Sequence, residues 1–340
     1  MKPIIAEIAA FIIAAAVSAT IAPLVIRLAT HLNIIDGIEE ERRVHTTPTP
    51  RIGGVAVFFG FATALFAVLG FVLGSPHERG AQLDIAHHLI GLLFGSLLIL
   101  GVGLWDDVMQ MRARSKLIAQ VVVAGISMLY GFTISGINNP FAHGATHAWI
   151  DFPLWVSIPL TLLWYVGMMN AMNFIDGLDG LLAGVTTISS LFLFAIAALH
   201  GNFIVALVLL ALAGSSLGFL PYNFNPARIF LGDAGSLFIG YVFATVTIIG
   251  GSKTAIAISL LVPLVVLALP ILDTAAVIVR RAANGRSITD ADRGHFHHQL
   301  IFRFGLGVRQ AVFLIYAVCI VLGVVALVVS GMFSHSGRLV

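Results

Sequence analysis

Residues 170–181 read Asn170-Ala-Met-Asn173-Phe-Ile-Asp176-Gly-Leu-Asp179-Gly-Leu181 and lie between two apolar runs, 153–173 and 181–199. Each run is close to the roughly 20 residues that a helix needs to cross a bilayer. The side chains Asn170, Asn173, Asp176 and Asp179 recur every third residue. Wherever the segment is helical, that spacing sets them along one ridge. Two amides and two carboxylates are costly to expose to hydrocarbon. They must face a polar cavity, a metal ion or one another. A capped helix end followed by a glycine turn would explain one such residue, since Asp and Asn favour caps and Gly favours turns. Four in register ask for more than a cap.

Moving outward, the 340 residues are 59% hydrophobic and only 10% charged. A soluble protein would carry about 25% charged residues. Apolar runs recur along the chain and predict an all-α, polytopic integral membrane protein of about ten spans. These are 4–29, 52–74, 87–105, 117–135, 153–173, 181–199, 203–220, 234–251, 255–279 and 310–331. The first run reads as a true span, not a signal peptide. No polar segment reaches the ~50 residues of a separate soluble domain, so 1–340 is read as one unit, with 280–309 its longest loop. Cys319 lies in an apolar run and reads as packing.

Loops 30–51, 106–116, 174–180, 221–233 and 280–309 fall on one side of the membrane. With Arg27 at the end of the first span, they hold 14 of the 18 Lys and Arg. The positive-inside rule makes that side cytoplasmic. Most of the acidic residues lie on the same loops, which orientation alone does not require. Acids and bases gathered at helix ends on one face describe a surface site. A secondary transporter would instead want charges near the bilayer midplane. Asp273, within the ninth span, is the one residue that fits neither layout. An intramembrane metalloprotease is disfavoured because the chain has no His-Glu-x-x-His pattern.

The polar loops carry the chemistry. In Thr47-Pro-Thr-Pro-Arg51-Ile-Gly-Gly54 the two prolines favour a stiff, extended segment. Gly53 and Gly54 allow a close backbone approach. Arg51 precedes a helix start, where the macrodipole prefers anions; a bound phosphate would resolve the conflict, and a simple positive-inside anchor is the alternative. Asp106 and Asp107 sit together at a helix C-terminus, disfavoured by the dipole and by mutual repulsion. Lys116, Arg112, Arg114 or a divalent ion could compensate. Asp233 lies between Gly232 and Gly235, near Ser236, before an apolar helix. It reads either as an N-cap or as a ligand for a hard cation beside phosphate oxygens. In the last loop, Arg293, His295, His297 and His298 crowd together. Zinc is one reading, but a structural zinc site wants four ligands and there is no second Cys/His cluster. A polyanion pocket is simpler. Clustered carboxylates, cations and glycine-lined approaches suit Mg²⁺-assisted phosphoryl chemistry.

These segments resemble the motifs of the polyprenyl-phosphate N-acetylhexosamine-1-phosphate transferases. The matching pieces are Val44-His45 with Pro48–Gly54, Asp106-Asp107, Asn170–Leu181, Asn225–Ser236 and Asp292–His298, in order, over about residues 30–300. The resemblance implies transfer of an N-acetylhexosamine 1-phosphate from a UDP-sugar to undecaprenyl phosphate, with release of UMP. It places the protein in the bacterial inner membrane with its active site on the cytoplasmic side. The implied partners are the UDP-aminosugar, the lipid phosphate and the bilayer, with no nucleic acid; a homodimer is suggested by the family alone. By the same resemblance, Asp233 and Asn173 would hold Mg²⁺, with Mn²⁺ the alternative. Lys116 would bind phosphate. Asn170 and Asp179 would shape the nucleotide site, with Asp176 and Arg51 among the substrate-binding residues. Arg293, His295, His297 and His298 would hold the sugar or diphosphate. Asp106, Asp107 and Asp233 would be catalytic, the first two deprotonating or orienting the lipid phosphate or ordering the cations around it. The muramoyl-pentapeptide branch usually has three consecutive His and a Lys near the Pro-Thr segment. His295-Phe-His-His298 and Arg51 depart from that and favour the branch using UDP-N-acetylglucosamine or a related UDP-N-acetylhexosamine, whose enzymes start O-antigen, teichoic acid or similar surface polymers.

Overall fold

The computed structural model describes residues 3–36, 48–74, 79–138, 149–250, 267–268, 271–273, 275–276 and 296–336. Within them the chain is a bundle of helices: α1 Pro3–His31, α2 Gly54–Gly74, α3 Arg79–Met109, α4 Ala113–Leu129, α5 Leu154–Ile175, α6 Leu181–Leu199, α7 Phe203–Asn223 and α8 Gly232–Gly250. The short α9 Phe296–Phe302 and the long α10 Val308–Ser336 follow. Among the described residues, seven helices are long and apolar enough to cross a membrane: α1, α3, α5, α6, α7, α8 and α10. The protein is therefore an all-α, multi-pass membrane protein. The second expected span is α2, whose apolar stretch Gly54–Gly70 is shorter. The fourth is α4, at 17 residues. The ninth, 255–279, lies mostly outside the described residues, as do Arg293 and His295.

The fourth span ends early for a visible reason. Gly131 adopts φ +85° and turns the chain after Tyr130. The apolar residues Phe132 and Ile134 still bury, but as a loop. Its backbone groups are met by α5: Ser157 Oγ donates to the Ile134 carbonyl at 2.7 Å, and the Ile134 N–H donates to Thr161 Oγ1 at 3.0 Å. An unpaired peptide group at this depth would be costly.

α8 is the axis of the bundle. Every residue from Ala234 to Ile248 is buried, and α3 and α5 pack along it while α2 touches it near its start. α1 and α10 instead expose apolar stripes, including Ile5, Ile8 and Ile12 on one and Val321, Val324 and Val328 on the other. Such surfaces suit lipid, not water. Two small hairpins complete the fold: β1 Ile35–Asp36 pairs with β2 Thr49–Pro50, and β3 Gly136–Asn138 with β4 Trp149–Asp151.

The extended segment after β2 does what its prolines and glycines suggest. The Phe230 N–H bonds the Pro50 carbonyl, and the Gly53 and Gly54 N–H groups bond the carbonyls of Phe230 and Leu231, all at 2.8 Å. A Cβ on Gly54 would lie 2.1 Å from the Gly235 backbone. The close approach expected of this glycine is therefore to the first turn of α8.

Candidate active site

Four helix ends converge at one end of the bundle: the C-terminus of α3, the start of α4, the C-terminus of α5 and the N-terminus of α8. At their centre, Lys116 Nζ lies 2.8 Å from Asp106 Oδ2 and 2.9 Å from Asp233 Oδ1. The second oxygen of Asp106 accepts the Met111 N–H at 2.7 Å. Asn173 donates its amide to Asp233 Oδ1 and to Ser236 Oγ, the latter at 2.8 Å. Burial works against the charge on Lys116, but the carboxylates of Asp233 and Asp106 outweigh it and raise the pKa, so the ammonium stays charged.

The conflict at the α3 C-terminus is resolved by two cations and a helix end. Lys116 neutralises Asp106. Arg51 donates to the backbone carbonyl of Asp107, at the negative end of α3, and its other nitrogen lies 3.5 Å from Asp36. Asp107 turns the opposite way and caps α8. Its Oδ1 accepts the Asp233 N–H at 2.9 Å and its Oδ2 the Ala234 N–H at 3.0 Å. The carboxylate thus meets the positive end of α8 and fills two of its orphan donors. Gly232, at φ +70°, makes room, since a Cβ there would strike the Arg51 carbonyl and both Asp107 oxygens.

The ridge of four polar residues divides. Asn170 and Asn173 lie within α5, Asp176 is its C-cap, and Asp179 lies in the turn beyond. Asn173 reaches the centre. At Asp176, the C-cap, burial, followed by the charges of Asp233, Asp107 and Asp179, pushes the carboxyl well above the usual range. Asp179 accepts the Asn225 amide at 2.9 Å and the Ala227 N–H at 3.0 Å, tying the α5–α6 turn to the loop before α8. Asn170 donates to Gln120 Oε1 at 2.7 Å, one turn away from the centre.

His297 and His298 lie on α9. Among the described residues, no three His, Cys, Asp or Glu side chains form a metal-binding set. Three participants had no signature in the sequence. Ser236 was visible only as a neighbour of Asp233. Gln120 is a neutral residue four positions after Lys116. Tyr316 on α10 reaches the Gly180 carbonyl at 2.5 Å.

The geometry therefore defines a multi-pass membrane protein with a charged centre at one end of its bundle. A glycosyl transferase family 4 profile matches residues 89–251. The chain is 35% identical over 323 residues to a probable undecaprenyl-phosphate N-acetylglucosaminyl 1-phosphate transferase of Bacillus subtilis (strain 168), covering 94% of this chain and 84% of that protein. It is 36% identical over 298 residues to a decaprenyl-phosphate N-acetylglucosaminephosphotransferase of Mycobacterium tuberculosis (strain ATCC 25618 / H37Rv), covering 81% and 71%. A phospho-N-acetylmuramoyl-pentapeptide-transferase of Clostridium perfringens (strain 13 / Type A) is 30% identical over 309 residues, covering 85% and 89%. The chain belongs to glycosyl transferase family 4, among the polyprenyl-phosphate N-acetylhexosamine-1-phosphate transferases that its motifs resemble.

Proposed function

We propose that the protein transfers N-acetylglucosamine 1-phosphate from UDP-N-acetylglucosamine to undecaprenyl phosphate, at the cytoplasmic face of the bacterial inner membrane. The observation that carries this is the Asp106–Lys116–Asp233 triad with Asn173. Residues from four helices meet there beside the exposed apolar side chains Trp105, Leu117 and Ile118, an arrangement that would let a lipid phosphate and a water-soluble UDP-sugar both arrive. Two relatives named for N-acetylglucosamine are 35% and 36% identical, against 30% for the muramoyl-pentapeptide relative, which favours that sugar. The excess of Lys and Arg on the site's side supports the cytoplasmic orientation. The product would be the first lipid-linked intermediate of a surface polysaccharide.

In this reading a lipid phosphate oxygen attacks the sugar-bearing phosphorus of the UDP-sugar. The bond from that phosphorus to the bridging oxygen breaks, and UMP leaves. A phosphate monoester is mostly ionised near pH 7, its second pKa being about 6, so the attack needs no strong base. Lys116 holds phosphate oxygens and offsets their charge. Asp106 orients Lys116. Asp107 acts by position, fixing the first turn of α8 and with it Asp233. Arg51 locks the α3 end to the segment before α2.

The donor chemistry fits Mg²⁺. This ion needs one or two carboxylates and takes its other ligands from water and phosphate. Asp233 supplies a carboxylate. Asn173 has its amide hydrogens on Asp233 and Ser236, and among the described residues its carbonyl oxygen remains for a cation. Mg²⁺ held there would neutralise diphosphate charge as UMP departs. The test is to incubate purified protein with Mg²⁺, undecaprenyl phosphate and a panel of UDP-sugars. UMP release with UDP-N-acetylglucosamine is expected. No release with any UDP-sugar would refute the reading.

A further inference from the structure

One turn from the charged centre, toward the membrane interior, lies a buried amide pair that the triad does not use. Gln120 follows Lys116 by four residues on α4, and Asn170 precedes Asn173 by three on α5. Both are therefore displaced by about one helical turn, or about 5.4 Å, from the residues of the centre. Gln120 is 1% exposed. Its Oε1 accepts the Asn170 amide at 2.7 Å, and that amide also donates to the Val166 carbonyl at 2.8 Å. This fixes which way Gln120 faces: its carbonyl is bound and its NH₂ is turned away from Asn170. Among the described residues Gln120 Nε2 has no hydrogen-bond partner. A buried donor without an acceptor is destabilising, and an arriving acceptor relieves it.

We propose that Gln120 is a binding residue for the acceptor lipid, donating through Nε2 to an oxygen of the polyprenyl phosphate. The inference rests on the transferase reading above. Position selects the ligand. α4 enters the bundle from the site, so Gln120 lies on the bilayer side of Lys116, where a lipid phosphate arrives. The diphosphate of the nucleotide sugar shares the same oxygen chemistry but comes from the aqueous side. A neutral amide donor also suits this depth, where a second ammonium would be costly. Asn170 positions Gln120.

The test uses full-length protein, with UDP-N-acetylglucosamine and undecaprenyl phosphate varied separately. Gln120→Met keeps the side-chain length and removes both the donor and the acceptor for Asn170. The KM for undecaprenyl phosphate should rise about tenfold or more, the worth of a hydrogen bond to a charged group. The KM for the nucleotide sugar should stay within about twofold. Gln120→Glu keeps the acceptor for Asn170 but sets a negative charge against the phosphate, so its lipid KM should rise further. Undecaprenyl phosphate alone should raise the Tm of the unaltered protein more than that of either variant. An unchanged lipid KM in a folded variant, or a rise in the nucleotide-sugar KM instead, would overturn the proposal. If the unaltered protein releases no UMP, the transferase reading fails, and the Tm shift still decides whether Gln120 meets a lipid phosphate.

Discussion

The first turn of α8 and its middle are both enclosed by protein, yet they are held by opposite means. At the first turn, Asp233 and its neighbours are charged: Lys116 bridges two carboxylates and Asp107 caps the helix. Halfway along, the contacts are neutral. Tyr241 pairs with Ser127 of α4 and Thr245 with Tyr165 of α5, each at 2.9 Å, and Trp164 donates to Thr247 at 3.0 Å. The same three helices, α4, α5 and α8, therefore meet twice. Neutral hydrogen bonds suffice to align helices in a membrane and are worth about 0.6 kcal/mol each on average. Ionised groups there are expensive. In the proposed function the charges at one end serve the reaction, while the neutral latch serves the fold.

Substitutions at the two levels should separate these roles. Lys116→Met should lower kcat by about 10³-fold, the scale of losing one preorganised charge partner. It leaves two close carboxylates unneutralised, and a steady-state assay of UMP release reads the loss. Asp107→Ala removes an acceptor from two N–H groups of α8. It should cost about 1–2 kcal/mol of stability, as lost caps do, and lower turnover about 10- to 100-fold by loosening Asp233. Thermal melting and kinetics on the same sample would show both. Tyr241→Phe should be the mildest, with a loss of about 0.6 kcal/mol and turnover within about twofold. A large loss of turnover with unchanged stability in Tyr241→Phe would erase the distinction between the two levels.

Much of this was legible in the sequence. Hydropathy located the helices because a bilayer demands a fixed apolar length. The strain of Asp106 beside Asp107 at a helix end called for a compensating cation, and Lys116 was one of the candidates. What answers Asp107 was not legible, because its partners lie 126 and 127 residues away on another helix. Arg51 shows the same limit: its misfit at the start of α2 was evident, but the α3 carbonyl that satisfies it was not. Gln120 was missed for another reason. A single amide in an apolar helix has no distinctive spacing, and only its unpaired donor in three dimensions marks it. The fourth helix was read as ending six residues too late because Phe132 and Ile134 are as apolar in a buried loop as in a helix.

The most direct test compares UMP release by the unaltered protein and by Asp233→Asn at saturating Mg²⁺. The substitution keeps the size of the side chain and removes the charge shared by Lys116 and the proposed cation. Turnover should be abolished while the protein remains folded. Near-normal turnover by Asp233→Asn would contradict the central claim that these helix ends assemble a magnesium-diphosphate site.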